Sequence, residues 1–94
     1  MPHGVGMYLQ GPLSNNRIIN NGFEYPGKVS GGILIDKNAH NTLIQGNRFE
    51  SLAYGWKVSN ETNTHTMAFG NYYDSIPAQA NWLDFGKATQ NLDR

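Results

Sequence analysis

The stretch NTLIQGNRFE, Asn41 to Glu50, sets a short apolar strand, a Gly-Asn corner and an aromatic residue side by side. Two other stretches repeat its plan, NNRIINNGFE (Asn15 to Glu24) and HTMAFGNYYD (His65 to Asp74). Aligned on the aromatic, they stack Asn21, Asn47 and Asn71 in one column, and Phe23, Phe49 and Tyr73 in the next. Glu24, Glu50 and Asp74 form a third. The aromatic column steps by 26 residues (49 − 23) and then by 24 (73 − 49). A near-constant step of that size marks a repeat architecture.

A second phrase alternates with the first: GMYLQ (Gly6 to Gln10), GILID (Gly32 to Asp36), GWKVS (Gly55 to Ser59) and WLDFG (Trp82 to Gly86). Each has the two-residue period of a strand. One parity supplies Met7 and Leu9, Ile33 and Ile35, Trp56 and Val58, and Leu83 and Phe85, all apolar and expected inside. The other parity supplies Tyr8, Leu34, Lys57 and Asp84, a mixed set expected at solvent.

One repeat therefore reads as strand, polar turn, strand, Gly-Asn corner, short aromatic strand and variable loop. The same order recurs each time, which suits parallel stacking of equivalent strands about 4.8 Å apart. An amide at the same corner of successive coils can accept from one neighbour and donate to the other, where no strand ladder reaches. The expected fold class is all-β, a parallel solenoid of about three to three and a half coils, roughly 15 Å tall at that spacing. It spans residues 1–94 as a single segment.

Composition agrees. The 94 residues include 11 Gly and 12 Asn, which serve corners that need positive φ or local backbone partners. Seven basic and seven acidic side chains cancel, so charge nominates neither nucleic acid nor an anionic membrane as partner. Cysteine is absent, which excludes disulfides and thiolate metal sites and leaves the compartment open. No apolar run approaches the roughly 20 residues of a membrane-spanning helix, and MPHGVGMYLQ lacks the basic start and apolar core of a signal peptide.

The corner amides, the aromatic stack behind them and the G-x-Φ-x-Φ strand resemble the right-handed parallel β-helix proteins of the pectate-lyase-like superfamily, over about residues 4–86. The resemblance implies a carbohydrate-active protein, a tailspike-like depolymerase or a related polysaccharide-degrading or polysaccharide-binding segment. It implies an extracellular or virion-surface location and a polysaccharide or cell-surface glycan as partner. The alternative is a non-catalytic structural or receptor-binding module of a spike or adhesin. Gly6 to Leu9 already reads as an interior strand, with no polar cap before it. A fragment of a longer helix, a homotrimer or an end-capping partner would each cover such an end.

If the chain is an enzyme, glycoside hydrolysis needs two carboxyl groups about 5 to 9.5 Å apart. The acid column offers Glu50 and Asp74, and elimination would need a base, for which Lys57 is the candidate. Aromatic faces pack on the C–H faces of sugars, and Tyr8, Tyr54, Tyr72 and Trp82 are the expected substrate-binding side chains. His3, His40 and His65 fall in a terminus and in turns, so neither a metal nor another cofactor is expected. The loops that follow the aromatic column differ in length, YPGKVSG, SLAY and SIPAQAN, and such an edge is where a groove is expected.

Overall fold

Corner residues that tolerate positive φ let a chain turn sharply at fixed intervals, and here they stack. In the computed structural model, which describes residues 4–25 and 30–94, Asn15, Asn41, His65 and Ala88 share one left-handed column at φ of 57 to 58°. Asn20, Gly46 and Gly70 form a second, at 57°, 65° and 71°. Ser51 and Ser75 form a third. His3 and residues 26–29 of the first loop lie outside the described residues.

Between the corners run short strands. The first coil holds β1 (Val5–Leu9), β2 (Leu13–Ser14), β3 (Arg17–Ile19) and β4 (Gly22–Glu24). The second holds β5 (Gly31–Ile35), β6 (Ala39–His40), β7 (Leu43–Gln45) and β8 (Arg48–Glu50). The third holds β9 (Tyr54–Val58), β10 (Met67–Phe69) and β11 (Tyr72–Asp74), and a fourth begins with β12 (Trp82–Asp84) and β13 (Gln90–Asn91). Every pairing is parallel, in the orders β1-β5-β9-β12, β3-β7-β10-β13, β4-β8-β11 and β2-β6. The chain is a parallel β-solenoid of about three turns. The polar turn of each repeat carries a ladder of its own. It begins with Leu13 against Ala39 and continues through bridges from His40 to Thr64 and from Thr64 to Lys87.

The core is made of columns. Ile33, Ile35, Ile44, Phe49, Trp56, Val58 and Ala68 are fully buried. Phe23, Phe49 and Tyr73 stack face to face with ring centroids 5.3 and 5.4 Å apart, within the range favoured by offset stacking. That stack explains the glycine of the G-x-Φ-x-Φ phrase. A Cβ on Gly6, Gly32 or Gly55 would lie 2.6, 2.7 or 2.9 Å from a ring carbon of Phe23, Phe49 or Tyr73. The ring of each coil uses the space a side chain would fill on the opposite wall.

The corner amides form the expected ladder. The Asn21 backbone N–H and Nδ2 donate to Asn47 Oδ1 at 2.9 and 3.3 Å. The Asn47 N–H and Nδ2 donate to Asn71 Oδ1 at 2.8 and 3.1 Å. The spare Nδ2 hydrogens of Asn21, Asn47 and Asn71 satisfy the carbonyls of Ile19, Ile18 and Ile44. A second buried amide braces the polar turn: Asn63 Oδ1 accepts from the Ala39 N–H, and its Nδ2 donates to the Asp36 carbonyl.

The fourth coil departs from the expected register. Trp82 pairs with Trp56, Leu83 with Lys57 and Asp84 with Val58. Leu83 and Phe85 therefore take the outward parity, and Phe85 is 57% exposed. Trp82 and Asp84 take the inward parity, so Asp84 leaves the outer face that Lys57 occupies. A one-residue shift exchanges the two faces of a strand. The gain that selects this register is aromatic. Trp82 stacks on Trp56 at 6.5 Å and meets Tyr73 edge-on at 5.5 Å. Asp84, at the last edge, turns its Oδ1 to the Gly86 N–H and the Thr89 hydroxyl.

Two substitutions check this account by chemical denaturation. Gly32→Ala would place a methyl 2.3 Å from the Gly55 carbonyl oxygen, whereas Gly4→Ala meets nothing within 4 Å. The first is expected to cost at least about 2 kcal/mol and the second to be near neutral. Asn47→Ala removes the acceptor of two donors and the donor to two acceptors, and is expected to cost about 3 kcal/mol. A loss under about 1 kcal/mol would mean that the ladder contributes little.

Candidate functional site

The solenoid interior is filled, so any site lies on its outer faces or edges. At the edge where the aromatic strand of one coil hands over to the first strand of the next, a cleft of about 110 Å³ opens. It is lined by Phe23, Glu24, Tyr25, Ser30, Gly31 and Leu52 among others. Tyr25 is 48% exposed beside it, and Ser30 and Leu52 are buried in its wall. This is the edge of variable loops, and its third-coil loop carries a single 3₁₀ turn, Ala78–Ala80.

Next to the cleft runs the acid column. Glu24, Glu50 and Asp74 stand in register on β4, β8 and β11, about 4.8 Å apart along the stack. Arg48, two residues before Glu50 on the same strand, bonds Glu50 Oε1 through Nε at 2.5 Å. Its guanidinium lies 4.6 Å from the centroid of Tyr72, so one face of that ring is occupied by a cation. Tyr72 is still 49% exposed. The Glu50 carboxylate holds the Arg48 guanidinium above its ordinary pKa, through the hydrogen bond first and charge second.

The first sheet turns a different surface outward. Tyr8, Leu34, Lys57 and Leu83 form one row. Tyr8 is 50% exposed and its hydroxyl donates to Asp36 Oδ2 at 2.5 Å. That bond, then desolvation, raises the Tyr8 pKa. Lys57 sits between Leu34 and Leu83, on a different sheet from Glu50 and Asp74. The two carboxylates expected for hydrolysis thus lie on one face, and the amine expected as the base of an elimination lies on another.

Two of the four expected aromatics are exposed, and two pack inward. The ring of Tyr54 covers Gly31, where a Cβ would lie 2.0 Å from its Cζ, and burial raises its pKa. Trp82 stacks on Trp56. His40 Nδ1 bonds Thr64 Oγ1 at 2.8 Å, while His65 occupies the left-handed column one position on. The two imidazoles therefore belong to different columns. Among the described residues no group of three or more His, Asp or Glu side chains could hold a metal ion.

Sequence reasoning missed Tyr25, although it directly follows the acid column in the coil with a long loop insertion. It also missed Asp93. The Asp93 Oδ1 accepts from the Asn71 N–H at 3.3 Å and its Oδ2 from Asn71 Nδ2 at 2.8 Å. The Tyr73 hydroxyl donates to the same Oδ2 at 2.6 Å and accepts from Trp56 Nε1 at 2.8 Å. Burial and the Asp93 bond push the Tyr73 hydroxyl far above an ordinary phenol.

Comparison of the chain with family models, with curated proteins and with solved structures gave no match.

Because the Tyr73 pKa is raised on folding, the unfolded chain ionises this phenol at lower pH than the folded one. The contribution is complete below the unfolded value of about 10 and is lost as pH rises above it. Urea midpoints are expected to fall between about pH 10 and 11.5, and Tyr73→Phe to flatten that fall at the cost of lower stability near neutrality. An equally steep fall in the variant would assign the effect to other groups.

Proposed function

We propose that this chain is a carbohydrate-recognition solenoid module that holds one sugar unit of a neutral glycan at the loop-edge cleft. One observation carries this reading: the half-exposed Tyr25 ring stands beside a small cleft with the Glu24 carboxylate at its margin. An aromatic face takes the C–H side of a pyranose. A carboxylate accepts two hydroxyl hydrogen bonds, which are among the stronger kind.

Size and charge narrow the ligand. A cleft of about 110 Å³ is well below the 300 to 1,000 Å³ typical of sites that engulf a small molecule. It suits a grip on part of one residue of a chain. Three carboxylates in register are offset here by Arg48, so the local field opposes a polyuronate and permits neutral sugars. Tyr72 and Arg48 extend the same face and offer a second contact for a longer chain. The resemblance of the repeat to pectate-lyase-like β-helices, tailspikes among them, supports carbohydrate as the ligand class, by analogy of fold alone.

A hydrolytic reading has one observation in its favour. Glu24 and Glu50 stand one coil apart, near the 5 to 5.5 Å separation of retaining glycosidases. Against it, Glu50 is held by Arg48 within its own strand, and the cleft opens beside Glu24 rather than between the two acids.

Titration calorimetry against a panel of neutral and uronate-containing polysaccharides, with reducing-end release followed in parallel, separates these readings. The expected result is binding of a neutral glycan without release, weakened about tenfold or more by Tyr25→Ala and by Glu24→Gln. Binding that ignores both substitutions, or that prefers polyuronates, would overturn the proposal. Release abolished by Glu50→Gln would establish the hydrolase instead.

A further inference from the structure

The polar turn of the third coil is longer than its counterparts. From Leu9 to Ser14, and from their partners Ile35 to His40, the chain takes five steps (14 − 9 and 40 − 35). Between the third-coil equivalents, Val58 and Thr64, it takes six (64 − 58). The fourth coil crosses the same corner in three, from Asp84 to Lys87 (87 − 84). An extra residue has no partner in the ladder and leaves the stack, and the short fourth coil does not cover it. Glu61 and Thr62 stand exposed at the tip of this turn.

Asn60, Glu61 and Thr62 form the one Asn-x-Ser/Thr triplet of the chain, the acceptor pattern for N-linked glycans. In a chain with 12 Asn the pattern alone means little, and the local geometry singles it out. The Asn60 Oδ1 accepts from the Thr62 N–H at 2.9 Å and from the Thr62 hydroxyl. The first and third side chains of the triplet are thus held together by the turn itself. The Asn60 Nδ2 spends one hydrogen on the Asp36 carbonyl at 3.0 Å, and among the described residues nothing takes the other. The ladder amides are the contrast, for Asn47 and Asn71 spend both hydrogens, on a strand carbonyl and on the next corner. An amide nitrogen bonded to a sugar keeps one of its two hydrogens. Asn60 would therefore carry a sugar and still satisfy Asp36, whereas Asn47 or Asn71 would lose a structural bond.

We infer that Asn60 is an acceptor site for an N-linked oligosaccharide. The donor is an oligosaccharide carried on a lipid diphosphate. The Asn60 Nδ2 forms a bond to the anomeric carbon, the bond from that carbon to the diphosphate oxygen breaks, and the lipid diphosphate leaves. One Nδ2 proton passes to a base of the transferase, and the other hydrogen stays for the Asp36 carbonyl. The turn joins β9 to β10, whereas the loop-edge cleft lies where an aromatic strand hands over to the next coil. A glycan on Asn60 leaves that cleft open, and the inference does not rest on what the cleft binds.

The test produces the full chain behind a cleavable secretion signal in eukaryotic cells that make this donor, and in bacteria that lack it. Intact mass is expected to show one glycan per chain from the first source and none from the second. Release by a peptide N-glycosidase is expected to leave aspartate at position 60. Thr62→Val is expected to be secreted without the glycan, and Thr62→Ser to be secreted with it. The urea midpoints of the glycosylated and unmodified chains are expected to coincide, because the Asp36 bond is kept. Secretion of the chain with Asn60 unmodified would overturn the proposal, as would a glycan that persists in Thr62→Val. A clearly lower midpoint for the glycosylated chain would overturn it too, by showing that the sugar displaces the Asp36 bond.

Discussion

A strand of two to five residues makes few hydrogen bonds before the chain must turn, and every turn strands backbone groups that no ladder reaches. The corner amide solves this at each level. Asn47 is nearly fully buried, yet every hydrogen-bonding position of its side chain is used, by Asn21 on one side, Asn71 on the other and the Ile18 carbonyl. Because those partners belong to other coils, no single coil can satisfy its own corner. Stacking is thereby obligatory, and the parallel sheets, the ring stack and the glycine column all follow the pitch that the amides set. Left-handed backbone at Asn, His, Ser and even Ala88 is tolerated for the same reason, since the pitch leaves the chain no other turn.

The register that stacks rings inside also stacks charges outside. Glu24, Glu50 and Asp74 are brought together because Phe23, Phe49 and Tyr73 are. Like charges opposite one another on neighbouring strands cost a few tenths of a kcal/mol to about 1 kcal/mol each. An exposed Arg48–Glu50 pair recovers little of that. Hydroxyl donors from a ligand would recover more, since they bond the carboxylates without adding charge. On the proposed reading, this mild electrostatic defect would favour neutral polyols over anionic chains at the acid edge.

What the sequence made legible was whatever the period repeated. Asn21, Asn47 and Asn71, the three rings behind them and the inward residues of the first three G-x-Φ-x-Φ strands could be placed by alignment alone. The fourth strand could not. WLDF offers apolar residues on both parities, and alternation favours Leu83 with Phe85. The structure instead obeys a contact between distant residues, Trp82 on Trp56. At the loop edge, unequal loop lengths point to a groove but not to the side chains that line it, so Tyr25 was invisible. Tyr54 was legible as an aromatic near a loop but not as the lid over Gly31, because the paired glycine carries no periodic signal of its own.

Asp93 is the most instructive omission. It lies 22 residues after Asn71 (93 − 71), close to the step of the amide column, and it was overlooked because it is an acid and not an amide. That exchange is its meaning. Asn and Asp are nearly isosteric, and each can accept what the previous corner donates. Only Asn has Nδ2 hydrogens to give, one to the next corner and one to a strand carbonyl. At a ladder position, one amide nitrogen therefore separates a rung that accepts and donates from a rung that only accepts. The Tyr73 hydroxyl, donating to the same carboxylate, adds a further hydrogen bond from within the chain. A repeat built on corner amides so carries its own direction, and at each corner a single side-chain atom decides whether a hydrogen is passed on or only accepted.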